Sequence, residues 1–392
     1  MRLNTPKTVV AALCVSVLLS SYSRAASTGI PDIEKIVTQV TQPMMQRFGI
    51  PGMAVGIVTD KHSYVYASGV KSKATGEPVT SGTLFEIGSL SKAFTATIVS
   101  YAQVGGHLSL SDNASKYLLA LRGSSFDNVS LLNLGTHTTG GMPLQLPGDV
   151  RDDDQLMRYF RDWKPTYAPG TFRTYANPGI GMLGMIAARS LGDGFDALME
   201  RRVFHGLGLR HSYFHVPEAE MSRYAQGYTK MDVPIRMAPG MLASEAYGII
   251  STVGDMLRFV EANLGLVPID GDLQAAITAT HTGYYRVGSM TQDLIWEQYR
   301  YPVALEDLLV GNSSRVSFEA NPVVRIDPPS PPQDDVLINK TGSTNGFAAY
   351  VAFVPARKIG IVLLANKNYP IDARVSAAYE ILTRLIGNVP EN

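Results

Sequence analysis

The chain has 392 residues, 45% of them hydrophobic and 17% charged, with 34 basic and 34 acidic side chains. That balance suits one large globular domain or two closely joined ones and excludes a fibrous or disordered chain. No basic stripe marks a nucleic-acid partner and no basic amphipathic helix marks a membrane surface, so neither is expected of the mature protein.

At the N-terminus Arg2 and Lys7 precede the apolar run "VVAALCVSVLLS", and Ser23 and Ala25 fit a small-x-small cleavage site. Residues 1–25 therefore read as a secretory signal peptide cut after Ala25, the run being too short to span a bilayer stably, with an uncleaved anchor the one other reading. Cys14, the one cysteine, lies inside this run behind Leu13, where lipid attachment needs a small residue. The mature chain 26–392 then has no disulfide and no thiol nucleophile and rests on its core. Loss of Arg2, Lys7 and Arg24 leaves 31 basic against 34 acidic residues.

The stretch 32–49 places Ile33, Ile36, Val37, Val40, Met44 and Met45 at helical spacing, with Pro43 expected to kink or divide the helix. "GMAVGIVTD" and "HSYVYASGV" read as a hairpin turning at Asp60-Lys61-His62. A helix should follow Ser89 and stop at Gly105-Gly106. The middle, about 110 to 300, mixes helical segments such as "GMLGMIAARSLG" and "STVGDMLRFVEANLG" with irregular joins. "DPPSPPQDD" (327–335) reads as a stiff surface loop. Three strands follow in "DVLINKTGS", "GFAAYVAFVP" and "KIGIVLLAN", and a closing helix carries Val375, Ala378, Tyr379, Ile381, Leu382, Leu385 and Ile386 on one stripe. The expected fold is α+β. One antiparallel sheet draws on both chain ends (about 26–105 and 300–392), and a mostly helical lobe (about 106–299) is inserted between them.

Three motifs carry chemistry. Ser89 and Lys92 stand three apart at a helix start, where i and i+3 share a face and backbone N–H groups point outward. Taken alone, the pair is either a helix cap with a decorating lysine or a nucleophile with its base. A second Ser-x-x-Lys, Ser68 to Lys71, is set aside because residues three apart on a strand point to opposite faces. Tyr175 and Asn177 lie in "TYANPG", and Lys340-Thr341-Gly342 lies on a strand, where glycine marks close backbone approach.

In this order the three motifs resemble the class C β-lactamases among the serine penicillin-recognising enzymes. The central Tyr-Ala-Asn is similar to class C in particular, as are "IPGMAV", "LFEIGS", "PLQ", "EAYGI", "NKTGSTNGF" and "LLANKNYP", which span nearly the whole mature chain. The resemblance implies hydrolysis of β-lactams, cephalosporins preferred, through an acyl-enzyme on Ser89. No cofactor or metal is expected, the signal peptide points to the periplasm, and monomer is the default. It makes Lys92 and Tyr175 sharers of the proton work, with the holder at each step left open. It places Lys340 and Thr341 on the substrate's acidic group, and the N–H groups of Ser89 and Ser343 on the oxyanion. Gln145 and Asn177 would meet an amide side chain, with Asn368 and Arg374 near the carboxylate and Tyr247 and Glu297 lining or supporting the site. Asn339, His137 and Ile371 depart from residues common in the family and bear on substrate preference. A D,D-peptidase or esterase shares the same acylation machinery, and a receptor that acylates once would stop after one equivalent. His211 and His215 stand at helical metal spacing, but Pro217 follows and no third ligand stands out.

Overall fold

The computed structural model describes residues 33–387, so the expected signal peptide lies outside the described residues. Helix α1 (Ile33–Phe48) runs unbroken through Pro43, which faces solvent. The expected division at Pro43 does not occur, because the buried stripe from Ile33 to Met45 holds both halves on one surface.

The sheet is built from nine strands among the described residues: β1 (Gly52–Val58), β2 (Ser63–Gly69), β3 (Gly283–Val287), β4 (Met290–Gln292), β5 (Glu297–Arg300), β6 (Val324–Ser330), β7 (Val336–Ser343), β8 (Ala348–Val354) and β9 (Ile359–Ala365). They lie side by side in the order β6-β3-β4-β5-β7-β8-β9-β1-β2, each pair antiparallel. The β1–β9 pairing, Met53 opposite Ala365 through Val58 opposite Gly360, joins the two chain ends. Every residue of β1, β8 and β9 is buried, so these strands read as continuous apolar runs. Alternate residues serve two cores. Met53, Val55 and Ile57 face α1 and the closing helix α6 (Ile371–Gly387), while Ala54 and Val58 face the helical lobe.

Two further expectations are corrected. Strands β3 to β5 extend the sheet, so residues 283–299 do not belong to the helical lobe. The stretch 327–335 is not all the stiff surface loop expected of it, because its first residues are strand. Pro328 and Pro329 lie in edge strand β6, which pairs only with β3 and breaks register between Arg325 and Ser330. An edge strand tolerates proline because one side needs no N–H donor.

The helical lobe is centred on α2 (Ser91–Val104), which is buried along most of its length against α3 (Asn177–Ser190) and α5 (Gly271–Ala279). Phe94 of α2 stacks on Phe259, of α4 (Val253–Asn263), at 3.9 Å between ring centres. The site lies where the N-terminus of α2 meets β7.

Candidate active site

Two-residue strand Phe85–Glu86 pairs with Ile250–Ser251 and delivers the chain into a 3₁₀ turn, Gly88–Leu90, ahead of α2. Ser89 thus sits in this tighter turn rather than in the α-helix itself, half-buried at its mouth. Two glycines let β7 approach. Gly88 has φ +55°, and a Cβ there would come within 2.6 Å of Ser343 N. A Cβ on Gly342 would lie 2.0 Å from the Ile87 carbonyl oxygen. The contact of bare backbones brings the Ser343 amide beside the nucleophile turn.

Lys92 is fully buried and donates to Ser89 Oγ at 2.9 Å and to the Ala246 carbonyl at 2.7 Å. Burial brings its ammonium down to about 8, helped by Lys340 and opposed by Tyr175. Tyr175 lies between the two lysines, each Nζ 5.1 Å from its ring centre. Its hydroxyl is buried without a hydrogen bond of ordinary geometry, with Ser89 and Lys92 close enough for weak ones. Burial pushes the phenol up. Lys340, then Lys92, then donation from Ser89 and Lys92 outweigh that and bring it down to about 8. A lysine and a phenol brought to the same range from about 10.4 and about 10 can pass a proton at little cost.

Beneath them lies an ion cluster. Arg173 is buried and donates to Glu297 Oε1 at 2.8 Å, to Gln292 Oε1 at 2.7 Å and to the Val316 carbonyl at 2.8 Å. Glu297 also lies 3.9 Å from Lys340 Nζ. Its carboxylate supports two cations and fixes Lys340 from below, while leaving the cleft floor positive. Asn339 tethers the same place, donating to the Glu297 carbonyl at 2.8 Å.

The cleft above is a cavity of about 540 Å³ lined by Ser89, Gln145, Tyr175, Asn177, Tyr247, Lys340, Thr341, Ser343 and Asn368. Gln145, Asn177 and Tyr247 also border an adjoining cavity of about 460 Å³. Gln145 is exposed, whereas Asn177 is buried at the first turn of α3 with its side-chain oxygen unpartnered. Asn368 is held by donation to the Thr344 carbonyl at 2.9 Å.

Arg374 is a correction. It is wholly buried behind β7 and spends its guanidinium on the carbonyls of Gly342 (2.7 Å) and Tyr369 and on Ser343 Oγ (3.0 Å). A side chain on the inner face of α6 reaches the back of the strand, not a ligand in front of it. The other Ser-x-x-Lys is occupied elsewhere, Lys71 donating to the Ser222 carbonyl at 2.6 Å and pairing with Glu77. His211 Nδ1 lies 3.0 Å from Arg223 Nη1. Arg173 was not singled out by any motif. Only its place two residues before Tyr175 ties it to the site in sequence.

A family model described as Beta-lactamase matches residues 37–385. The chain is 52% identical over 346 residues to a β-lactamase of Lysobacter lactamgenus, covering 88% of this chain and 90% of that protein. It is similar to a crystal structure of a D-alanine carboxypeptidase from Burkholderia cenocepacia, with 54% identity, TM-score 0.87 and coverage of 90% of this chain and 99% of the other. It is equally similar to a class C β-lactamase solved in complex with cefoxitin, with 51% identity, TM-score 0.88 and coverage of 90% and 98%.

Proposed function

This chain belongs to the β-lactamase family, in its class C branch, and from that premise we propose that it opens β-lactam rings, with a preference for cephalosporins, through an acyl-enzyme on Ser89. The single observation that carries the mechanism is Lys92 Nζ at 2.9 Å from Ser89 Oγ, with Tyr175 lodged between Lys92 and Lys340.

The Lys92–Tyr175 pair takes the Ser89 proton as Oγ bonds to the lactam carbonyl carbon. The carbonyl oxygen gains negative charge between the Ser89 and Ser343 amides. As the intermediate collapses, the ring C–N bond breaks and the nitrogen takes its proton from Tyr175. Tyr175 then accepts a proton from water, water's oxygen bonds to the acyl carbon, and Ser89 leaves with its proton restored. Lys340 and Thr341, with Asn368 beside them, receive the substrate carboxylate over the positive floor. Gln145 and Asn177 meet the amide side chain, which extends toward the adjoining cavity.

A second reading, D-alanine carboxypeptidase activity, is favoured by the similarity to the Burkholderia enzyme of that name. It uses the same acylation steps on a linear peptide. Intact-mass spectrometry after mixing with a cephalosporin separates the cases. Tyr175→Phe should accumulate a one-equivalent adduct that maps to Ser89, while the unaltered enzyme clears it. An adduct on another residue, or none in either protein, contradicts the mechanism.

A further inference from the structure

We infer that His137 is a positioning residue that clamps Tyr175 at three points, an inference that rests on the proton-carrying role given to Tyr175 above. The His137 carbonyl accepts the Thr174 N–H at 2.8 Å, and its ring Nδ1 accepts the Ala176 N–H at 3.2 Å. Both chain neighbours of Tyr175 are therefore tied to the same residue. Tyr175 itself lies on the imidazole, ring centres 4.3 Å apart and planes 37° from parallel.

His137 holds this place in a backbone conformation uncommon for a residue other than glycine. Its φ is +59°, the left-handed region that glycine or asparagine enters more readily. A bulky ring kept there, 1% exposed, points to a task that glycine cannot perform. The task is positional and not ionic. Nδ1 is an acceptor, so the proton sits on Nε2, which has no partner among the described residues. Burial first, then the nearby charges of Arg173, Lys92 and Lys340, hold this imidazole well below the usual histidine range. A neutral ring adds no third cation at the phenol. It packs against the Tyr175 ring and fixes a hydroxyl that has no firm hydrogen bond of its own.

The test is steady-state hydrolysis of a chromogenic cephalosporin by the unaltered enzyme, Tyr175→Phe, His137→Phe and His137→Asn, each first checked for native near-ultraviolet circular dichroism. His137→Phe keeps a ring and loses the acceptor for Ala176. It should lower kcat about 10- to 100-fold while KM moves less than about threefold. His137→Asn offers an acceptor from a residue at ease with positive φ and should recover about tenfold of that loss. A folded His137→Phe with unchanged kcat, or a His137→Asn no better than it, overturns the inference while a crippled Tyr175→Phe leaves the reading of Tyr175 standing. A Tyr175→Phe that retains full kcat overturns both. Imidazole ¹⁵N shifts of the unaltered protein give a check that needs no variant to fold. Nδ1 should stay unprotonated across about pH 6–9, and a protonated Nδ1 overturns the clamp.

Discussion

At the scale of single residues, the site works by setting two amphoteric groups against each other. Lys92 loses basicity chiefly through burial, whereas Tyr175 gains acidity because two lysines overcome the burial that opposes it. Burial carries Tyr369 the other way, to about 12, against the pull of the Arg374 guanidinium 4.9 Å from its ring centre. Tyrosine ¹³Cζ titration should therefore show one phenol near 8, standing apart from the rest. Lys340→Met removes the largest influence that favours the phenolate, so that pKa should rise. A resonance that stays near 8 in the variant would contradict the assignment of Lys340. The residue types were legible in sequence because three short motifs stand in the order of a known family, and the fold gathers Ser89, Tyr175 and Lys340 at one cleft with Lys92 bonded to Ser89. Arg374 was not, since its position after a strand does not reveal which face of the sheet its side chain meets. Arg173 was not either, because burial and its carboxylate partner come from residues more than a hundred positions away.

At the scale of elements, the site depends on a strand laid against a helix start without side chains between them. Gly342→Ala would force Cβ into the Ile87 carbonyl and push β7 away from Ser89. The expected loss in kcat is about 100- to 1,000-fold, comparable to removing one oxyanion donor, with KM for a small substrate changed far less. A variant of normal kcat would show that β7 need not approach so closely. The strands at both chain ends were readable because each is a run of apolar residues bounded by turns. Strands β3 to β5 were not. Glu297 and Gln298 of β5 are polar yet buried beside the ion cluster, so β5 shows no apolar alternation. The prolines of β6 hid an edge strand in the same way.

At the scale of the whole molecule, the sheet separates two cores and the active site bridges the sheet and the helical lobe. Ser89 and Lys92 come with α2, Tyr175 and Asn177 with the start of α3, and Lys340 to Ser343 with β7. Loss of either lobe's packing should therefore abolish activity. In urea, activity and near-ultraviolet circular dichroism should disappear together. Activity lost well before the dichroism would mean that the lobes part without unfolding and that the cleft is held less firmly than the shared packing of α2 and β7 implies. The most direct measurement of the central claim is the full time course of chromogenic cephalosporin hydrolysis by the unaltered enzyme beside Ser89→Ala. The account predicts many turnovers per enzyme at a steady rate, and a loss of at least about 1,000-fold in the variant. A burst of one equivalent that then stops, or turnover that survives loss of the Ser89 hydroxyl, would contradict it.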